Sequence, residues 1–382
     1  MAYQVVSCDN HIDLTFCPPD LWSDQAPAKW KLLVPRAEEL DDGLHWFIDG
    51  QDVGMWNGIG PGFGKYEKGR LARVDKMYDL GFYSGHHREA EPRPSTPELR
   101  LEDLDQDGVD AEVIYGILGA NLKIQDGEMA GWVFQVYNDW AMDFSRRADP
   151  HRIFPLAAIP YHDPEAAAEE VRRCAAMGMH GGDLPVKKLA FPIWHHAWYP
   201  VWQAAEECSF PISFHSTGFT GARLADDTQM AAEYELEIRG IKSVLFQVDG
   251  AEVLAGIIMS GACERYPGFR FVLGESGVTW LPYILDRFDV EYEDRLQQLN
   301  FSLKPSDYFR RNGMTTYQQE ACIAEIVPLV GEDNIMWATD YPHPDCLFPD
   351  SQQIIEEQLG GLPQATKQKI ICDNAVKFYN LA

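Results

Sequence analysis

The sequence predicts an α/β fold: a (β/α)8 TIM barrel with a long irregular insertion after its first strand. Three observations lead there. Short apolar runs suited to buried parallel strands alternate with helix-like segments through most of the chain. The runs number eight, enough to close a sheet into a barrel. They also tend to end in Asp, His or Glu, at the C-terminal strand ends where barrel enzymes keep their chemistry.

Tyr3 to Cys8 reads as the first strand and runs into Asp9-Asn10-His11-Ile12-Asp13. Residues 20–100 show no βα rhythm and are rich in Trp, Gly and charge. They are expected to form an excursion that covers substrate or contacts another copy of the chain. Its run Gly58-Ile59-Gly60-Pro61-Gly62-Phe63-Gly64-Lys65 is not a phosphate loop. Ile59 stands where the first Gly belongs, and Tyr66 follows where Ser or Thr is required. His86-His87 is a further ligand candidate or a solvent-exposed pair.

Leu101 to Gly108 predicts a helix, and Asp110 to Tyr115 the second strand. Val133, Val136, Tyr137, Trp140 and Phe144 form a helical core stripe. Ile153 to Ile159 is the third strand, and Asp163-Pro164 caps a helix that Gly178 stops. Met179 to Leu184 is the fourth strand. Phe210 to Phe214 is the fifth and delivers His215; Phe269 to Leu273 is the sixth and leads to Glu275. Between and after these, Tyr199 to Cys208, Ala251 to Tyr266 and Trp280 to Tyr292 read as helices. The seventh strand falls between Tyr308 and Thr316. The eighth, Ile335 to Thr339, ends in Asp340-Tyr341-Pro342-His343, and a last helix spans about 363–379. No internal repeat is seen, and residues 1–382 are read as a single domain.

The 382 residues, 46% hydrophobic with 11 Trp, suffice for a large core. A formal charge of -27 would repel phosphates, so neither nucleic acid nor an anionic membrane is an expected partner. The N-terminus reads as strand rather than signal peptide, and no run is long enough to span a membrane. The eight Cys occur singly, without a CxxC pair, as expected of reduced thiols in a cytoplasmic protein. The expected partner is a small-molecule substrate, and the expected state is a homo-oligomer.

Asp9 and His11, two apart on an extended segment, point the same way. With His215 and Asp340 they offer two carboxylates and two imidazoles, a set suited to one divalent ion, Zn2+ first and Mn2+ or Fe2+ next. Such an ion lowers the pKa of a bound water toward ~7. Asp340 could then bind the ion and act as general base. Glu275 is either a general acid/base at the same centre or half of an ion pair with Arg270 or Arg287. His180 is a substrate contact or a core histidine. His343 is a substrate contact or a group that orients Asp340, and His195-His196 lie in a Trp-rich loop facing substrate or solvent.

These motifs resemble a known family. Asp9-Asn10-His11 with Pro18-Pro19-Asp20-Leu21-Trp22, Pro211 to His215, and Glu264-Arg265-Tyr266-Pro267 through Gly274 are similar to segments of the amidohydrolase superfamily. So are Trp337 to His343 and Asp373-Asn374-Ala375. The branch is the one that includes aminocarboxymuconate-semialdehyde decarboxylase and the resorcylate-type decarboxylases. The resemblance implies a barrel with one divalent metal held by Asp9, His11 and His215, and a ligand-plus-catalytic role for Asp340. Two positions depart from the pattern: Asp9 replaces a common His or Glu, and Glu275 stands where the decarboxylases usually carry His.

The first expectation is therefore a hydrolase of a small carbonyl substrate, aromatic ones included, using metal-activated water with Asp340 as base and Glu275 assisting the leaving group. The alternative is a non-oxidative decarboxylase of an aromatic or unsaturated acid. The third is a metal-stabilised binding protein without turnover.

Overall fold

The structure is a computed structural model and describes residues 3–59, 64–70, 72–82, 92–117, 120–216 and 234–381, without the side chains of 121, 122, 235 and 239. His86, His87 and residues 60–63 of the glycine-rich run lie outside the described residues.

The strands are β1 (Val6–Ile12), β2 (Arg36–Leu40), β3 (Gly43–Ile48), β4 (Gln51–Met55), β5 (Ala111–Gly116) and β6 (Ile153–Pro155). Then follow β7 (Ala157–Ala158), β8 (Gly182–Asp183), β9 (Ile212–His215), β10 (Phe271–Gly274), β11 (Gly313–Tyr317) and β12 (Ile335–Trp337). Hydrogen bonding orders them β1-β5-β6 in one ladder and β7-β8-β9-β10-β11-β12 in another, all parallel. β6 and β7 are one stave interrupted at Leu156: Leu156 N–H bonds back to Ile114 O on one side, and Ala157 N–H bonds to Gly181 O on the other.

The remaining seam, between β1 and the end of β12, is bridged by His11 N–H to Tyr341 O at 2.7 Å and Asp340 N–H to Asp9 O at 2.8 Å. With β6–β7 as one stave, the ladders and this seam form the predicted eight-stave barrel. Metal-site candidates on the first and last staves are thereby brought side by side.

Helices follow the predicted signals. Asp163 accepts from Glu165 and Ala166 N–H to cap helix Pro164–Met177, which ends at left-handed Gly178. Helix Gly127–Ala148 buries Val133, Val136, Tyr137 and Phe144, with Trp140 half-buried. The C-terminal helix runs from Gln364 to Tyr379 through a π-helical segment at Lys369–Asp373. Every cysteine is free, and most are buried. Among the described residues no helix is long and apolar enough to cross a membrane.

Three expectations need correction. The insertion is not irregular throughout: β2, β3 and β4 form an antiparallel meander, and helix Ala72–Asp79 follows. Leu44, Trp46 and Ile48 are buried in alternation along β3, a period-two signal hidden among charges and glycines. The first strand begins later and runs farther than expected, through Asp9 and His11, because β5 offers ladder partners as far as Gly116. The fourth shrinks to Gly182–Asp183.

Candidate metal centre

Asp9 and His11 lie on β1, His215 ends β9, Glu275 directly follows β10, and Asp340 lies three residues past β12. All are buried. Barrel closure turns these separate strand ends into one cluster. His11 Nε2 is 2.8 Å from Asp340 Oδ1 and 3.4 Å from Asp9 Oδ1. His215 Nε2 is 3.2 Å from Asp9 Oδ1 and 3.5 Å from Glu275 Oε2. The donor atoms of Asp9, His11 and His215 lie within 4.8 Å of one another, as do those of His11, Asp340 and His343.

The surroundings aim these atoms. His215 Nδ1 is 2.8 Å from Ser216 O, which can only accept, so Nδ1 carries the hydrogen and Nε2 faces the cluster. The His343 ring stacks on His11 at 3.8 Å between centroids. Its Nδ1 lies 2.9 Å from Asp340 Oδ1 and its Nε2 2.8 Å from Asp13 Oδ2. Both nitrogens of His343 thus face protein carboxylates, which favours the orienting reading over substrate contact. Glu275 (φ 45°) and Asp340 (φ 61°) both adopt left-handed backbone, a conformation that costs a non-glycine residue about 1–3 kcal/mol. Asp340 is held there by its N–H bond to Asp9 O and by His343 N–H to its own carbonyl at 2.9 Å.

The electrostatics call for positive charge. Burial works to raise the Asp9 carboxyl, but His215 and His11 outweigh it and hold the group well below the carboxylate range. Burial likewise opposes charge on His215, yet Asp9 and the neighbouring Glu275 and Asp183 lift its imidazole to about 10. Burial and then the Asp340 carboxylate push Glu275 well above the usual range. Asp183, at the end of β8, is lifted to about 6 chiefly by burial.

A divalent ion fits this cluster. Asp9 Oδ1, His11 Nε2, His215 Nε2 and both Asp340 carboxylate oxygens are buried without a hydrogen-bond partner. Orphaned buried polar atoms are costly one by one. Gathered around one point, they are the donor set of a cation.

The other candidates are placed as follows. His180 precedes β8 rather than following it; its Nδ1 is 2.9 Å from Tyr379 O and its ring packs edge-on to Phe154, so it is not among the gathered residues. His195 stacks on Phe191 and His196 on Tyr199, also outside the cluster. Neither arginine pairs with Glu275: Arg270 bonds Phe378 O and Ser209 O, and Arg287 pairs with Glu291. Sequence reasoning passed over Asp13, Asp183, Asp345 and Thr316. Asp13 continues the alternation of Asp9 and His11, and Asp183 ends a strand, so both carried a readable signal. Asp345, which joins Glu275 and Asp340 in a third group within 4.8 Å, and Thr316 carried none.

Residues 44–381 match the family described as Amidohydrolase. A 2-amino-3-carboxymuconate-6-semialdehyde decarboxylase of Dictyostelium discoideum is 22% identical over 321 residues, 81% of this chain and 82% of that one. A gamma-resorcylate decarboxylase of Rhodococcus jostii is 25% identical over 261 residues, 64% and 77% respectively. The structure of a dihydroxybenzoic acid decarboxylase of Polaromonas sp. JS666, with bound manganese and 2-nitroresorcinol, superposes with a TM-score of 0.65 at 18% identity, covering 100% of this chain and 98% of that one. With the family match running from the insertion's meander to the C-terminal helix, the chain belongs to the amidohydrolase family.

Proposed function

We propose that the chain is a metal-dependent decarboxylase that releases CO2 from a small aromatic or unsaturated carboxylic acid without oxidising it. The observation that carries this reading is the setting of Glu275: a buried carboxyl at the donor cluster, beside the Asp340 carboxylate, with His215 at 3.5 Å the only basic side chain within ion-pair distance among the described residues. Such a group tends to keep a proton, and replacing CO2 by hydrogen requires a proton donor at carbon. The two relatives, both decarboxylases, support the same choice. The hydrolytic reaction expected first has no support among them.

Asp9, His11, His215 and Asp340 would hold the ion. Manganese is the first choice, since the Polaromonas protein contains it, and zinc, favoured by ligand type alone, comes second. When bound, the ion supplies positive charge to grip the substrate carboxylate and an adjacent oxygen. Asp340, kept anionic against burial by His343 and His11, accepts the proton of a substrate hydroxyl beside the carboxylate. Glu275 gives its carboxyl proton to the carbon that bears the carboxylate. The bond to the carboxylate carbon then breaks, its electron pair returns to the substrate, and CO2 leaves. Asp340 returns its proton to the product oxygen, and Glu275 is reprotonated from solvent.

The test is anaerobic incubation of the Mn2+-loaded protein with a panel of hydroxybenzoic and unsaturated acids in D2O enriched in 18O. CO2 release with one deuterium at the vacated carbon is expected. Solvent 18O in the product without CO2 would instead establish hydrolysis.

A further inference from the structure

The two oxygens of the Asp9 carboxylate are treated differently. Oδ2 accepts from Glu275 N–H at 2.7 Å and from the Thr316 hydroxyl at 2.8 Å. Oδ1 has no hydrogen bond and is the oxygen facing both His11 Nε2 and His215 Nε2. Thr316 Oγ1 also lies 2.7 Å from Glu275 N, so that N–H is shared between the hydroxyl and Asp9. A carboxylate cannot donate, so the single hydroxyl hydrogen of Thr316 points at Oδ2.

Thr316 is itself held firmly. It is fully buried on β11, one step beyond the Leu273–Thr315 pair that ties β11 to β10. Its carbonyl accepts from Gly277 N–H at 3.1 Å, and the neighbouring Thr315 hydroxyl donates to Gly277 O at 2.7 Å. β11 thus grips residues 275–277, including the left-handed turn at Glu275, while the same threonine pins Asp9 on β1, two staves away.

We propose that Thr316 is a positioning residue: its hydroxyl occupies Asp9 Oδ2, leaves Oδ1 as the one oxygen available to a metal ion, and couples that orientation to the backbone of Glu275. The role rests on the metal centre described above. Without the hydroxyl, Oδ2 keeps one donor instead of two, and the carboxylate is freer to turn about its Cβ–Cγ bond. The ion then meets a ligand that must be ordered on binding, which weakens affinity. Groups that orient ligands in this way typically change metal affinity or activity 10–100-fold, roughly, when removed.

The experiment titrates the full metal-depleted chain with Mn2+ and follows free Mn2+ by its EPR signal. Thr316→Val keeps the shape and removes the hydroxyl; its affinity should fall about 10–100-fold. Thr316→Ser, which keeps the hydroxyl, should bind like wild type. Thr315→Val, which loosens Gly277 without touching Asp9, should also bind like wild type. Excess Mn2+ should restore much of the turnover of Thr316→Val, a rescue that general damage to the fold would not show. If valine distorts the barrel, Thr316→Ala repeats the measurement with a side chain too small to clash. Mn2+ binding undiminished in Thr316→Val would overturn the positioning role alone. A wild-type chain that binds no Mn2+ would overturn the metal centre and this role with it.

Discussion

Arg100→Met should cost the fold about 3–5 kcal/mol, the range found when one partner of a buried ion pair is removed. Arg100 and Glu112 are both fully buried, on helix Pro97–Asp107 and on β5. The guanidinium grips Glu112 with two nitrogens, Nε toward Oε1 and Nη2 at 2.8 Å from Oε2. Its Nη1 donates to His11 O at 3.0 Å and to Pro94 O at 2.9 Å. Methionine fills similar volume but supplies none of these donors, so Glu112 keeps only the amide of Asn10. Against a typical total stability of about 5–15 kcal/mol, that is a large fraction.

Urea unfolding of metal-depleted protein, followed by circular dichroism and tryptophan fluorescence together, measures the loss. Arg100→Met with Glu112→Leu removes the stranded charge and should recover much of it. Arg100→Lys should not, because an ammonium cannot span both carboxylate oxygens and two carbonyls. A loss below about 1 kcal/mol in the single variant, as for a surface pair, would refute the reasoning.

Three further outcomes are expected. Glu275→Gln should lower kcat by about 10²–10⁴-fold, the usual contribution of a positioned acid. Burial and Asp340 raise Glu275, and the reacting form is protonated, so wild-type kcat should fall as pH rises through that raised pKa. A pH-rate profile in which Glu275→Gln keeps the alkaline fall would count against the assignment. Removing metal by chelation should lower the Tm, since an ion bound to the folded state at about 100 times its Kd contributes roughly 2.7 kcal/mol; calorimetry with and without Mn2+ reads this. Asp163→Ala removes the cap of helix Pro164–Met177 and should cost about 0.5–2 kcal/mol in urea while leaving CO2 release unchanged.

The barrel was legible because each of its parts leaves a local mark. A buried parallel strand needs a short apolar run, and a helix needs a cap such as Asp163 and a stop such as Gly178, all readable over a few residues. The meander of the insertion was missed because its alternation in β3 extends over six residues and each of its partner strands buries a single residue. The ligand candidates were legible as acids and histidines at strand ends. Thr316 was not, because a threonine in a strand is ordinary until the register of β11 sets its hydroxyl against Asp9. His180 shows the converse: the right residue type, beside a strand, but at the end away from the gathered donors.

By itself, then, the order of residues determined where the staves of the barrel and most of its helices fall and which side chains could bind a cation, since both depend on chemistry within one short stretch. Only the closed barrel decided which candidates meet. The contact of His11 with Asp340 spans nearly the whole chain and exists because two backbone hydrogen bonds join the first stave to the last. A distance between side chains on different strands depends on stagger and closure, and no local stretch of sequence contains either.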